Sequence, residues 1–213
     1  MELGTGGRPA KTLRMVLGIL GSGSGSNMQA ILDAIDAGHL GARIALVLSD
    51  NPDAFILERA RRRGIPCGVI DCRGFLTRFP DEAQLETAAR LRAAGVTLVC
   101  LAGFLRLVKR PLLDAFPKRI INIHPSLLPA FPGLESWKQA LAAGAPTAGC
   151  TVHLVDEGMD TGPIILQEEV PILPGDSADS LHARIQTVEH RLYPTAISKM
   201  AASLLAPARA SLP

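Results

Sequence analysis

The sequence lacks the paired cysteines, the strong net charge and the long apolar runs that mark several classes of protein. Its four cysteines form no CxxC pair, which argues against a zinc site and favours buried thiols in a reducing compartment. A net charge of +2 is too small to indicate a polyanionic partner such as nucleic acid. The longest apolar runs have the length of strands, so we expect no signal peptide, no membrane span and a cytoplasmic location.

The pattern of apolar residues predicts one α/β domain, and 213 residues are too few for two ordinary domains. Strand-length runs such as "MVLGIL", "RIALVLSD" and "VTLVCLA" alternate with helix-period segments. We therefore predict a single-domain, Rossmann-like fold with a mainly parallel twisted sheet and helices on both faces. "TAGCTVHLVD" and "PIILQEEVPI" predict antiparallel strands near the C-terminal part.

The ends of the chain are predicted to be tails around this domain. A disordered tail is expected over residues 1–13, a folded domain over 14–201 and a flexible tail over 202–213. The last helix is predicted over about 178–200, with a kink at Pro194.

The stretch "GSGSGSN", residues 21–27, resembles a linker but stands between the first predicted strand and an amphipathic helix. Glycines there let the backbone approach a ligand, and the free N–H groups at the start of a helix favour an anion. No Gly-Lys-Ser/Thr follows, and Ser26 replaces the third glycine of GxGxxG, so neither a Walker A loop nor a strong dinucleotide site is indicated. Asp50 could take a ribose hydroxyl, although polar residues commonly end strands. The stretch therefore predicts a site for a phosphorylated ligand.

The stretch "INIHPSLLPAFPG" places an amide and an imidazole at the end of a predicted buried strand. Asn122 and His124 are two residues apart, so their side chains point to the same side. Such a pair can stabilise a developing oxyanion and move a proton near neutral pH, although it can also merely satisfy backbone groups. Farther on, "VHLVDEGMDTGPIILQ" carries several acidic residues, and a carboxylate from it placed against His124 would raise the pKa of the ring.

Five segments in this order, "GSGSNMQAI", "LAGFLRLV", "INIHPSLLPAFPG", "VHLVDEGMDTGPIILQ" and "RIQTVEHRLYP", carry a resemblance to a known family. Over about residues 15–200 the chain resembles the folate-dependent glycinamide ribonucleotide (phosphoribosylglycinamide) formyltransferases of purine biosynthesis. The wider formyltransferase superfamily shares "NIHPSLLP", whereas the glycine-serine-asparagine loop and the "QTVEH" helix point to this member.

The resemblance implies an enzyme that transfers a formyl group from its co-substrate 10-formyltetrahydrofolate to the amine of glycinamide ribonucleotide, without a metal. It implies a catalytic role for Asn122, His124 and Asp160. The residues expected at the substrate phosphate and ribose are Gly25, Ser26, Asn27, Gln186 and Glu189. The residues expected at the folate are Arg78, Leu105, Arg106, Leu107, Val108, Val155 and Asp156. It implies two small-molecule partners and neither nucleic acid nor membrane, and a homodimer stays open.

Position 135 departs from the pattern of the family, and the role of His153 stays open between two alternatives. Glu135 follows "PGL", where bacterial relatives often carry a histidine, and His153 can equally line the site or be a satisfied strand histidine. The other histidines, His39, His182 and His190, are assigned no chemistry.

Other functions share parts of the pattern. Formyltetrahydrofolate deformylase uses the same Asn/His/Asp set but normally carries an additional N-terminal domain, whereas only a short tail precedes the first predicted strand here. Methionyl-tRNA formyltransferase would be expected to carry a basic C-terminal domain. A non-catalytic nucleotide-binding regulator and, on fold alone, a nicotinamide dehydrogenase are further alternatives.

Overall fold

Seven strands form one mixed sheet, and six helices connect or cover them, in the computed structural model, which describes residues 15–205. The strands are β1 (Met15–Leu20), β2 (Ala42–Ser49), β3 (Cys67–Val69), β4 (Leu98–Leu101), β5 (Ile120–His124), β6 (Thr147–Leu154) and β7 (Ile164–Pro171). The helices are α1 (Ser26–Asp36), α2 (Phe55–Arg62), α3 (Asp81–Ala93), α4 (Arg110–Ala115), α5 (Ser136–Ala142) and α6 (Ala178–Leu205).

The sheet has the order β3-β2-β1-β4-β5-β6-β7. The first five of these strands pair in parallel, and β6 is antiparallel to both β5 and β7. The predicted mainly parallel sheet, with antiparallel strands near the C-terminal part, is therefore confirmed. Among the helices within residues 15–205, none is long and apolar enough to cross a bilayer.

Helices cover both faces of the sheet, which explains why its central strands are almost continuously apolar. In β1, Leu17 and Ile19 pack in a cluster that includes residues of α1, α2 and α6. Leu20 lies in a second cluster with residues of α3 and α4. Alternate side chains of the same strand thus belong to two cores, one on each face.

The C-terminal helix is longer than predicted. α6 continues without interruption through Pro194 and ends at Leu205. Residues 202–205, expected in the flexible tail, are therefore helical, and Leu204 packs against the core beneath α6. The tail expected over 1–13 and the rest of the one expected over 202–213 lie outside the described residues.

Two short helices, α4 and α5, were not predicted. They have six and seven residues, too few for a helical period to stand out from the proline-containing and glycine-containing segments around them.

The glycine-serine stretch turns sharply between β1 and α1. Gly25 is the residue before α1 and has a φ of 73°, in the left-handed region that side chains other than glycine rarely adopt. A Cβ atom added there would lie 2.8 Å from the Cβ atom of Ile56. Gly23, two residues earlier, has open space around it and no positive φ. The turn therefore depends on glycine at position 25 and not at position 23.

We expect Gly25→Ala to lower the free energy of unfolding by about 1–3 kcal/mol, because it combines backbone strain with a clash against α2. The matched control is Gly23→Ala, which should change it by less than about 0.5 kcal/mol. Urea denaturation of both variants measures the difference. Equal stability of the two variants would contradict this reading of the turn.

Candidate active site

A cleft of about 1180 Å³ opens at the carboxyl ends of the parallel strands, where parallel α/β sheets bind ligands. It is bounded by the glycine-serine stretch, the segment after β4, the end of β5, the loop between β6 and β7, and one face of α6. All predicted site residues except Asp156 line it: Gly25, Ser26, Asn27, Arg78, Leu105, Arg106, Leu107, Val108, Asn122, His124, Val155, Asp160, Gln186 and Glu189. Residues far apart in sequence are thus brought to one cavity.

Asn122, His124 and Asp160 form one cluster in this cleft. The Nδ1 atom of His124 lies 3.4 Å from Oδ2 of Asp160, and the side-chain amide of Asn122 donates to Oδ1 of Asp160 at 3.4 Å. β5 supplies the first two residues, and the β6–β7 loop brings the carboxylate from the neighbouring strands. Both distances are long for hydrogen bonds, so both contacts are weak.

Asp160 is held in place by its surroundings and has a low pKa. Its backbone has a φ of 56°, and its Oδ2 atom accepts a hydrogen bond of 2.9 Å from the amide of Gly133. Burial by itself raises the pKa of Asp160. The contact with His153, the Gly133 amide and the His124 ring outweigh that effect and hold the pKa below its ordinary value. The carboxylate is therefore ionised at neutral pH.

His124 is buried between two acceptors. Its Nε2 atom lies 3.0 Å from the carbonyl oxygen of Phe131, which can only accept, so Nε2 carries a hydrogen. Its Nδ1 atom faces Asp160. Burial lowers the pKa of His124 more than Asp160 and the Phe131 carbonyl raise it, and His153 lowers it further. The carboxylate raises the pKa of the ring, as expected, but the loss of water outweighs this effect, so the net pKa lies below its ordinary value.

His153 belongs to the same cluster and pairs with Asn122 across β5 and β6. Its Nδ1 atom lies 2.8 Å from the carbonyl oxygen of Leu154 and therefore carries a hydrogen. Its Nε2 atom lies 3.1 Å from the side-chain nitrogen of Asn122 and 3.6 Å from Oδ1 of Asp160. Of the two roles that the sequence left open for His153, the structure therefore shows the first: the residue lines the site, in contact with Asn122 and Asp160.

The glycine-serine stretch meets the last helix at the opposite end of the cleft. The side-chain amide of Asn27 donates to Oε2 of Glu189 at 2.9 Å. Glu189 is only 5% exposed, and burial raises the pKa of its carboxyl group, an effect that the Asn27 hydrogen bond only partly opposes. The Oδ1 atom of Asn27 is buried and has no partner among the described residues. This end of the cleft therefore holds polar groups whose hydrogen-bonding capacity is not used up within the chain.

A ring of α6 stacks on a ring of α5 beside the cleft, a contact that the sequence did not reveal. The rings of His182 and Trp137 stack with centroids 3.7 Å apart and an angle of 1° between their planes. Gln186, one turn farther along α6, lies with Nε2 3.4 Å from Nε2 of His182. The sequence signal that could have placed His182 at the site is its spacing from Gln186 and Glu189, since these three positions share one helix face.

The segment after β4 presents apolar side chains to the cleft. Leu105 is 64% exposed and Leu107 is 43% exposed, whereas Val108 is buried in the core beneath α3 and α4. Exposed leucines beside a concave site are suited to contact a flat aromatic ligand. Without the family resemblance these two leucines would have been interpreted as core residues.

Two residues predicted at the folate make contacts within the protein. Arg106 lines the cleft, but its side chain is 8% exposed and its Nε atom donates to Asp50 at 2.6 Å. It also donates to the carbonyl oxygen of Arg78 at 2.5 Å. Asp156 does not line the cleft: its carboxylate accepts from the Gly158 amide and the Thr161 hydroxyl within the loop. Asp156 shapes the β6–β7 loop, and Asp50 is committed to Arg106.

Glu135, at the position where relatives often carry a histidine, lies at the rim of the cleft. It has a φ of 52° at the start of α5, and its carboxylate pairs with Lys138 at 2.5 Å. Within residues 15–205, no three His, Cys, Asp or Glu side chains are grouped as a metal site would require.

Comparisons with known proteins agree with this architecture. Residues 15–197 match the model of the formyl transferase family. The chain is 52% identical to glycinamide ribonucleotide transformylase 1 from Symbiobacterium toebii, whose crystal structure superposes with a TM-score of 0.85 over 89% of each chain. It is 42% identical to phosphoribosylglycinamide formyltransferase from Bacillus subtilis, over 85% of this chain and 92% of that protein.

A longer relative matches over only part of its length. The trifunctional purine biosynthetic protein adenosine-3 of Drosophila melanogaster is 47% identical over 88% of this chain, which spans 14% of the insect protein. The family match covers most of the described residues, and the fold agrees with it. The chain belongs to the formyl transferase family.

Proposed function

We propose that this protein transfers the formyl group of 10-formyltetrahydrofolate to the amine of glycinamide ribonucleotide. The observation that carries the proposal is the cluster of Asn122, His124 and Asp160 in the same cleft as the glycine-serine stretch. The names of the similar bacterial proteins support the same reaction. One cavity then serves a phosphorylated amine at one end and a folate at the other.

The two substrates occupy different parts of the cleft in this proposal. The phosphate lies against the backbone amides of Gly25, Ser26 and Asn27 at the start of α1, and the ribose lies near Gln186 and Glu189. The folate ring lies between the exposed leucines after β4 and the β6–β7 loop. This arrangement directs the glycinamide amine and the formyl carbon toward the end of β5.

The reaction forms one carbon–nitrogen bond and breaks another. The substrate amine attacks the formyl carbon, and negative charge develops on the formyl oxygen as the tetrahedral intermediate forms. The intermediate then releases N10 of the folate, which takes up a proton as the amine loses one. The protein must stabilise the oxyanion and move this proton.

The Asn122 amide is available to donate to the oxyanion, and a protonated His124 would add positive charge beside it. The side-chain nitrogen of Asn122 lies 3.1 Å from His153 and 3.4 Å from Asp160. The hydrogen that faces Asp160 is therefore held weakly and is available to the formyl oxygen. A developing negative charge beside His124 favours its protonated form and opposes the effect of burial on its pKa. Asp160 stabilises that imidazolium and accepts the amine proton, directly or through water.

The direct test mixes the purified protein with 10-formyltetrahydrofolate and follows the deformylated folate with and without glycinamide ribonucleotide. We expect product only when the amine is present. Equal product without the amine would replace the proposal with a deformylase. No product in either mixture, together with binding of the nucleotide, would replace it with a non-catalytic regulator.

Asn122→Ala and His124→Ala should each lower kcat by about 100-fold or more, because each removes a group that stabilises charge in the transition state. The matched control is His39→Ala, which changes an exposed histidine outside the cleft and should leave kcat within about twofold of the unaltered protein. Steady-state kinetics with both substrates saturating measures these effects. A His124→Ala variant as active as the control would remove His124 from the mechanism.

The titration of His124 should depend on Asp160. In the ligand-free protein we expect its pKa below the ordinary value of 6.5, because burial outweighs the carboxylate. Asp160→Asn removes the largest group that raises this pKa, so the pKa should fall further. Two-dimensional NMR of the imidazole resonances between pH 4 and 8 follows the ring directly, with His124→Asn to assign its signal. A higher pKa in Asp160→Asn would contradict the electrostatic account.

A further inference from the structure

We infer that Arg59 is a positioning residue for the substrate phosphate, acting through the backbone of the glycine-serine stretch. The inference rests on the proposed function, which places the phosphate against that stretch. Arg59 belongs to α2 and does not line the cleft. It lines a second cavity, of about 730 Å³, between α1 and α6. Its effect on the substrate is therefore indirect.

Two residues of α2 donate hydrogen bonds to two consecutive carbonyl groups of the glycine-serine stretch. The Nε atom of Arg59 donates to the carbonyl oxygen of Ser24 at 2.8 Å. The backbone amide of Ile56 donates to the carbonyl oxygen of Gly23 at 3.1 Å. Two peptide groups immediately before α1 are thus fixed from the same side by one helix.

The geometry of the peptide bond turns these contacts into an orientation of N–H groups. In a planar trans peptide the C=O and the following N–H point in opposite directions. Because the Ser24 carbonyl is drawn toward Arg59, the Gly25 N–H is directed away from α2. That N–H, with those of Ser26 and Asn27, donates to no group among the described residues. We expect Arg59 to orient one unpaired donor, the Gly25 N–H, beside the two that the start of α1 already offers to an anion.

Neighbouring side chains hold the guanidinium in this position. It lies 4.9 Å from the centre of the Phe55 ring, and its Nη1 atom donates to Oε1 of Gln29 at 3.4 Å. Gln29 in turn donates to Asp33 at 2.8 Å. No carboxylate within residues 15–205 forms an ion pair with Arg59, so its charge is not neutralised directly and adds to the positive potential behind the stretch.

Arg62 offers a matched control on the same helix. Its guanidinium lies 5.6 Å from the same Phe55 ring, and it pairs with Glu58 at 2.9 Å. It makes no hydrogen bond to the glycine-serine stretch in the described part of the chain. Replacing it therefore removes a similar side chain from α2 without releasing the Ser24 carbonyl.

The test compares Arg59→Met, Arg59→Lys and Arg62→Met in steady-state kinetics with each substrate varied. Arg59→Met keeps an unbranched stem over Phe55 but loses the donor and the charge, so we expect KM for glycinamide ribonucleotide to rise about 10-fold. KM for 10-formyltetrahydrofolate should stay within about twofold, since the folate does not contact the stretch. Arg59→Lys, which keeps a charged donor, should recover part of the loss, and Arg62→Met should leave both constants unchanged.

Calorimetric titration with ribose 5-phosphate separates this inference from the proposed function, because it needs no turnover. Weaker binding by Arg59→Met, with Arg62→Met unchanged, supports the positioning role even if glycinamide ribonucleotide is not a substrate. Equal increases in both KM values, or unchanged ribose 5-phosphate binding, would overturn it. Circular dichroism and thermal denaturation of Arg59→Met, beside Arg62→Met, distinguish a loss of affinity from a loss of folding.

Discussion

The parallel pairing of β1, β4 and β5 is the constraint on which the candidate site depends. Parallel strands end at the same edge of the sheet, so the segments that follow these three strands must meet there. The segment after β1 supplies the glycine-serine stretch, the one after β4 the exposed leucines, and β5 itself Asn122 and His124. Had β1 paired only with β2, the stretch would not lie beside the segment after β4. The order in which the strands pair within the sheet, rather than any local motif, therefore creates the cleft.

A buried ion pair fixes two of these segments to each other. Asp50, after β2, binds Arg106 through Oδ2 and accepts from the Ser22 hydroxyl through Oδ1. The Ser22 hydroxyl in turn accepts from the Leu105 amide. Burying the two charges is expensive, and removing one partner would leave the other unpaired. The network thus ties the stretch that would hold a phosphate to the segment that would hold a folate.

Much of the fold and part of the site could be predicted from the sequence, for physical reasons. A continuous apolar run of strand length indicates a buried strand, so β1 and the strand pair β6 and β7 were predicted. A helix has to be recognised from a repeat of about 3.6 residues, and α4 and α5 are too short to show it. The cleft brings together Asn122, His124 and Asp160, as predicted from the resemblance. The sequence around His124, however, could not indicate how deeply this ring is buried. Burial outweighs the expected effect of the carboxylate on its pKa. Likewise, the pairing of Arg106 with Asp50 joins positions 56 residues apart that no local pattern relates.

Long contacts separate the groups of the candidate catalytic cluster. Asp160 is ionised beside two histidines, yet its distances of 3.4 Å to His124 and to Asn122 exceed those of a strong charged hydrogen bond, about 2.7–2.9 Å. A tighter pair would stabilise the imidazolium before the substrates arrive, and that stabilisation would be shared by the ground state and the transition state. Only an interaction that strengthens as the oxyanion forms accelerates the reaction. In the proposed mechanism, the loosely spaced cluster would gain most of its electrostatic interaction at that step, when bound substrates have also excluded water.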